Sequence, residues 1–533
     1  MSTTIPPIAS RAPGALPYDD AQMPLPLVQA RTRRFVLRVI WSSTAFLVVS
    51  GVLGLLLRLR QGQVIELGDN FWYAVMTAHG LGAFIAWAGF FLMGITFWVL
   101  MKVGFPIRSF VLPELMYWSM MAGVVGIVLT TLLSGFGGSW VFLYPLPFFS
   151  AGQWSDTVTG IFAGSVLLAG VSILAYCAAV LQTCISPALK ARPDTPGQRV
   201  GLTFGFGLLF PSRFRTDRGR IPYPVLPFAV NAVDMFLATL PFAALLVLNI
   251  VQSVNNGFSI NVLLAGNMLW AFGHPVVYLL LFPAAATYYY LIPRYAGRDL
   301  VAGKAVAVAW LIALTMNLFV WAHHLYMNYP DGENVQQTLG TIMQPTTYAL
   351  VLPSALSLFS IAATIYKSDF QWNVASKFLI AGIISWLVAG LQGIINATAA
   401  FQETLHNTLW IVGHFHNMAF LNMGLLIFGA MYAFLPELMG RGWWNERLGS
   451  IHLWGTIVGA YGWVTCQMIQ GLEGAPRRWA VLPEQYLTLT HISLGFLALL
   501  VAAQLVFAYN LWTTLRRSPF DDPTATPAGG TQR

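Results

Sequence analysis

The sequence predicts an all-α polytopic membrane protein, with about twelve transmembrane helices and both termini in the cytoplasm. Three observations lead there. The chain is 57% hydrophobic and 9% charged, where a soluble domain is about 25% charged. Apolar runs of about 20 residues, the length that crosses a bilayer, recur about twelve times. Numbering the run ends alternately from a cytoplasmic N-terminus puts 24 of the 28 lysines and arginines on the inner side, the bias expected of cytoplasmic loops. The formal charge of +8 is then a property of loops and calls for no nucleic acid.

In chain order, residues 1–30 are rich in Pro and Ala, show no cleavable signal and read as a disordered tail. The membrane core, 31–515, follows, with spans near 36–57, 71–101, 109–135, 158–184, 226–252, 259–291, 304–324, 344–366, 376–398, 406–435, 450–471 and 487–514. The richest inner loop, Lys190 to Arg220, holds seven basic residues. Only Arg58, Arg60, Arg477 and Arg478 fall outside. Residues 516–533 form a C-terminal tail, and no internal repeat or second soluble domain is visible. Cys177, Cys184 and Cys466 make no metal-binding pattern and read as small core residues.

The polar residues inside these spans carry the functional signal, because such groups are expensive in a membrane and face a partner, cavity or cofactor. Span two enters from outside with His79 about two turns in. Span six, "AFGHPVVYLLLFPA", carries His274 and Tyr278, which share a helix face one turn apart. Span seven ends outward in "WAHHLYMN" with His323 and His324. Span ten carries His414 and His416 about two turns below His406. Six histidines from four spans therefore reach one depth in the outer half of the bilayer, while His452 and His491 stand alone. A single such histidine reads equally well as a hydrogen-bonded packing residue; six at one depth read as metal ligands. His323 and His324, about 100° apart on a helix, can reach one ion, and His274 makes a third nitrogen ligand with a position left open. His414 and His416, about 200° apart, face opposite ways and can serve two large cofactors, with His79 completing six-coordination at one of them.

The segments "HGLGAF", "WAFGHPVVY", "WAHH" and "HNTLWIVGHFHNM" together resemble the catalytic subunit I of haem-copper oxygen reductases, the cytochrome c oxidases, across the whole membrane core. The resemblance implies that fold, oxygen reduction to water coupled to proton uptake and pumping, and a bacterial or archaeal cytoplasmic membrane. It implies that His79 and His416 ligate a low-spin haem, that His414 ligates the high-spin haem, and that His274, His323 and His324 hold copper B. It further implies that Tyr278 is covalently linked to its histidine and supplies an electron and a proton for O–O cleavage. Alone, Tyr278 would read as an ordinary hydrogen-bonded interior tyrosine.

Val276 stands where A-type members carry the glutamate that ends a proton channel, so the chain is similar instead to the B-type branch. That branch implies a b-type low-spin haem and an a-type high-spin haem, although no residue reads out haem side chains. It has one proton channel, whose hydroxyl positions match Tyr289, Ser354, Ser357 and Ser360. Such serines can equally bond their own helix carbonyls. Another family tyrosine falls on Ala285, a gap to be bridged by water or by Tyr288. Arg477 and Arg478 in "APRRWA", with His406 and Asn407, match contacts to haem propionates, which guanidinium forks suit; a lipid-headgroup contact is the plain alternative for the arginines. An acidic family residue appears as Gln402 beside Glu403. No dicopper pattern occurs, so a separate subunit II, expected to carry a dicopper cupredoxin domain, must bring electrons from cytochrome c or quinol. Two alternatives compete: a nitric oxide reductase of the same fold, which carries Glu at the position of Tyr278, and a transporter without redox cofactors, whose midplane ion sites do not match the histidine depth.

Overall fold

The computed structural model describes residues 25–139, 143–185, 221–325 and 335–516. The basic Lys190–Arg220 loop and most of both tails lie outside the described residues. Every regular element among them is helical. The long helices are α1 (Leu25–Gln61), α2 (Asp69–Lys102), α3 (Val111–Leu133), α4 (Asp156–Cys184), α5 (Val225–Val254), α6 (Val262–Ala296), α7 (Gly303–Leu325), α8 (Ile342–Ile365), α9 (Val374–Ala397), α10 (Leu409–Met439), α11 (Glu446–Leu472) and α12 (Glu484–Arg516). All but α11 are long and apolar enough to cross a membrane, eleven in total. The expected span near 450–471 does form α11, whose 27 residues reach about 40 Å. Its buried His452, Thr456, Gln467 and Gln470 explain its lower hydropathy. These groups face protein, so the polarity does not prevent packing into the bundle. Helix α1 begins at Leu25, within the segment expected to be a tail.

The helices run back and forth. At one end, Arg58 of α1 donates to Gln470 of α11 at 2.6 Å, and Gln61 to the carbonyl of Trp479 at 3.0 Å. At the other end, Arg33 reaches the carbonyl of Leu438, Lys102 pairs with Glu437, and Arg441 reaches the carbonyl of Leu515 at 2.9 Å. Thus Arg58, Arg477 and Arg478 share one end, as the alternating topology requires. Helix α2 is central: every residue from Phe90 to Leu100 is buried, the pattern of a helix apolar on all sides and surrounded by others. All three cysteines are buried and free, as core residues should be. His491 bonds the carbonyl of Gly62 at 2.8 Å, and His452 packs among Phe378, Phe428 and Phe507.

Four local departures from a regular α-helix fall beside the histidines. Helix α2 widens into π turns at Gly82–Gly89, just after His79, and α10 does so at Asn417–Gly424, just after His416. Helix α6 is interrupted at His274, and α7 tightens at its end. Such interruptions occur often at functional sites.

Candidate functional site

Three histidines meet where α6 breaks and α7 ends. Pro275 has no backbone N–H to offer, and α6 divides there into Val262–Gly273 and Pro275–Ala296. His323 and His324 lie on a 3-10 turn, Trp321–Leu325, rather than on the α-helix the sequence reading assumed. The last carbonyls of a helix lack i+4 donors and commonly take i+3 partners; adjacent side chains then diverge by about 120° instead of about 100°. The pair still converges. Ring centres are 4.6 Å apart for His274–His323, 5.3 Å for His274–His324 and 4.5 Å for His323–His324. One ring nitrogen from each lies within 4.8 Å of the others.

The ring orientations are set by neighbours. His274 Nδ1 faces His324 Nε2 at 3.1 Å, and its Nε2 faces the Tyr278 hydroxyl at 3.0 Å. His274 therefore offers Nδ1 to the cluster and Nε2 to the tyrosine. Thr347 Oγ1 sits 3.2 Å from His323 Nδ1. Trp270 stacks on the His324 ring at 4.0 Å and 5°. Outer groups of this kind fix ligand orientation. Three imidazoles so placed fit one ion with metal–nitrogen bonds of about 2.0–2.1 Å and an open position.

His79 and His416 face each other with ring centres 6.4 Å apart and planes inclined by 32°. Each Nδ1 is engaged by a backbone carbonyl, Ser50 at 2.8 Å and Val412 at 2.9 Å, which leaves Nε2 for ligation. Two metal–nitrogen bonds of about 2.0 Å, plus about 1.2 Å from each nitrogen to its ring centre, match that separation. The pair fits a six-coordinate iron. Gly54 of α1 permits the close approach, since a Cβ there would lie 2.7 Å from His79 Cε1. His414 turns the other way, its Nδ1 3.3 Å from Gln392 Oε1 of α9, whereas His416 packs 4.6 Å from Trp463 of α11. Their opposite facing follows from the two-residue spacing.

All six histidines and Tyr278 line one cavity of about 1000 Å³, the upper end of the range for a single ligand pocket. Its outer rim holds His406, Gln402, Arg477 and Arg478. The loop after α11 is stitched to the start of α10: Leu409 donates to the Ala475 carbonyl at 2.8 Å and Arg477 to that of Asn407 at 2.9 Å. The Asn407 side chain accepts from Arg477 Nη2 at 3.3 Å and braces the arginine at this rim. Arg478 adopts φ of +64°, and its carbonyl accepts from Tyr73 at 3.1 Å. Burial pushes the Arg477 guanidinium down to about 10, with Arg478 adding to the effect. Arg477 Nε is buried without a partner, so the rim fits an anionic group such as a carboxylate. His406, 3.0 Å from Gln402 Oε1, is held down to about 4, first by burial and then by Arg477 and Arg478.

On the inner side, Tyr289 donates to Ser357 at 2.7 Å, joining α6 to α8, and Ser354 and Ser357 line the cavity. Ser357 and Ser360 also donate to their own helix carbonyls, at 2.6 and 2.8 Å. The Tyr288 hydroxyl, near the gap at Ala285, donates to Asn422 Oδ1 of α10 at 3.2 Å. The sequence reading missed several contributors. Arg58 is buried beside the His79 pocket and bonded to Ser493, Gln61 and Gln470; its place among four outer charges was the available signal. Gln392 and Thr347 carried none, whereas Trp270 opens the segment "WAFGHPVVY".

The family profile for "Cytochrome C and Quinol oxidase polypeptide I" matches residues 34–505. A cytochrome c oxidase polypeptide 1 of Halobacterium salinarum is 27% identical over 258 residues, covering 48% of this chain and 42% of the relative. A haem-copper oxidase subunit I+III of Aeropyrum pernix is 26% identical over 439 residues, covering 77% and 48%. The chain thus spans less than half the length of these two relatives. Among solved structures, a haem-copper terminal oxidase dimer superposes with a TM-score of 0.73 at 19% identity, covering 93% of this chain and 86% of that one, a likeness of fold.

Proposed function

Because the chain belongs to the cytochrome c and quinol oxidase polypeptide I family, we propose that it is the catalytic subunit of a terminal respiratory oxidase that reduces O2 to water and couples this to proton uptake and pumping. The observation that carries the reading is the His274–His323–His324 cluster with the Tyr278 hydroxyl 3.0 Å from His274 Nε2. His274, His323 and His324 would hold copper B, His414 the high-spin haem, and His79 and His416 the low-spin haem. When bound, these groups would relay electrons to the place where O2 is reduced.

The chain's own residues do the rest. His274 directs Nδ1 to the cluster and so presents Nε2 to the Tyr278 hydroxyl. Tyr278 holds a phenolic proton at the edge of the cavity, where it could be given to the substrate. Tyr289 and Ser357, joined at 2.7 Å, with Ser354 and Ser360, form the inner hydroxyl route that returns a proton to Tyr278. Arg477 and Arg478, with Asn407 bracing the first and His406 at the rim, bind haem carboxylates.

Val276 carries no proton, and this supports a B-type enzyme with a single cytoplasmic channel, a b-type low-spin haem and an a-type high-spin haem. Electrons enter from cytochrome c through a separate subunit II with a dicopper cupredoxin domain, with quinol the other donor class. The setting is a bacterial or archaeal cytoplasmic membrane. Oxygen uptake by the purified complex with reduced cytochrome c tests this. Four electrons consumed per O2, inhibited by cyanide, is the expected result; nitric oxide turnover without oxygen turnover would replace the reading.

A further inference from the structure

Gln392 of α9 is buried, 9% exposed, between α10 and α11. Its carboxamide makes three contacts. Oε1 stands 3.3 Å from His414 Nδ1 and accepts from Asn417 Nδ2 at 3.0 Å. Nε2 donates to the Met468 sulfur of α11 at 3.1 Å. An amide buried in a membrane bundle is costly unless its polar atoms are paired, and here each atom is. The amide's orientation follows from its neighbours: reversing it would set Oε1 against the Met468 sulfur, acceptor against acceptor. The residue before the ligand makes that sulfur contact possible. A Cβ at Gly413 would lie 2.5 Å from Met468 Cγ, so only a glycine there lets α11 come this close to α10.

An amide oxygen only accepts, so the His414 Nδ1 that faces it carries the ring hydrogen, and Nε2 keeps its lone pair. Oε1 has two acceptor positions, one used by the imidazole and one by Asn417. The other two haem-site histidines are held differently. His79 Nδ1 meets the Ser50 carbonyl at 2.8 Å and His416 Nδ1 the Val412 carbonyl at 2.9 Å. His414 alone of the three has a longer contact, to a side chain that it shares with a second donor. An acceptor at the far ring nitrogen fixes the ring and strengthens it as a ligand. We propose that Gln392 is the positioning residue of His414: it sets the tautomer and rotation of the ring. By dividing its oxygen between His414 and Asn417, it also keeps this imidazole a weaker iron donor than His79 and His416. The inference rests on the oxidase reading, which makes His414 the ligand of the high-spin haem.

Resonance Raman spectra of the purified, reduced complex test it by reading the iron–histidine stretch of the high-spin haem. Gln392→Met is unbranched and of similar length but has no acceptor oxygen. It should lower that stretch and weaken retention of the high-spin haem by about tenfold or more. Gln392→Glu keeps an acceptor oxygen whether or not it is ionised, and should hold the stretch at or above the wild-type frequency. Both variants should keep the low-spin optical band, because His416 is held by Val412 and not by Gln392. Asn417→Leu removes the competing donor at Oε1 and should raise the stretch. A stretch unmoved in Gln392→Met overturns the inference. So does one lowered equally in Gln392→Glu, which would make the side chain ordinary packing. Should Gln392→Met fail to assemble, Asn417→Leu decides, and a stretch at or below wild type there overturns the inference. A wild-type complex without haem, or without any iron–histidine stretch, overturns the oxidase reading and this inference with it. A wild-type complex that has both, with a stretch indifferent to these substitutions, overturns this inference alone.

Discussion

Gly54→Ala tests the assignment of the low-spin pair without touching a ligand. Gly54 faces the His79 ring from α1, and a Cβ built there lies 2.7 Å from Cε1 and 3.0 Å from Nδ1. Carbon atoms at rest sit about 3.5–4.0 Å apart, so the ring or α1 must move by about 1 Å. The ring is held by the Ser50 carbonyl at 2.8 Å, on the same helix and one turn from Gly54, which closes the easy direction of escape. Overpacking of this kind costs about 1–3 kcal/mol, and loss of the Ser50 hydrogen bond adds about 1 kcal/mol. Together these amount to a weakening of the low-spin haem by about 30- to 1000-fold at 1.4 kcal/mol per tenfold. Reduced-minus-oxidised optical spectra of the purified complex measure it. The low-spin band should fall or shift, while carbon monoxide binding at the haem held by His414 persists. His416→Leu should give the same pattern from the other face. A Gly54→Ala enzyme with an unchanged low-spin band would refute the claim that His79 is clamped between α1 and an iron.

Other substitutions separate the remaining roles. His324→Ala should remove copper and leave both haems, since the three haem ligands are untouched; metal analysis showing full copper would reject the three-histidine site. Tyr278→Phe should keep copper but cut oxygen reduction to a few per cent, about 2 kcal/mol or more of barrier at 1.4 kcal/mol per tenfold; a normal rate of water formation would end the tyrosine's redox role. Ser354→Ala with Tyr289→Phe should slow turnover and proton uptake in vesicles with unchanged haem spectra; wild-type pumping would make the hydroxyl stripe ordinary helix packing.

Much of the site was legible because membrane burial makes polar residues rare enough to interpret. Depth counting along spans two, six, seven and ten placed six histidines on one level, and they line one cavity. The two-residue spacing of His414 and His416 foretold their opposite facing. Backbone irregularity was less legible: the 3-10 turn at His323 and His324 and the π turns after His79 and His416 arise from tertiary packing, which periodicity does not encode. The direction of the Tyr288 hydroxyl was not legible, because it is set by Asn422 of α10, distant in sequence. Helix α11 shows the limit of hydropathy, since a span may carry Gln467 and Gln470 when other helices cover them. Gln392 and Thr347 act only through residues distant in sequence, so nothing local could announce them.

On the proposed function, six histidines of this chain would hold two haems and one copper: His79 and His416, His414, and His274 with His323 and His324. Quantifying haem by the pyridine haemochrome and copper by elemental analysis, each per polypeptide in the purified complex, tests it most directly. The account predicts about two haems and, after allowance for any copper carried by a partner subunit, one copper lost completely in His324→Ala. A preparation with active, folded protein and no haem, or with copper unaffected by His324→Ala, would contradict it.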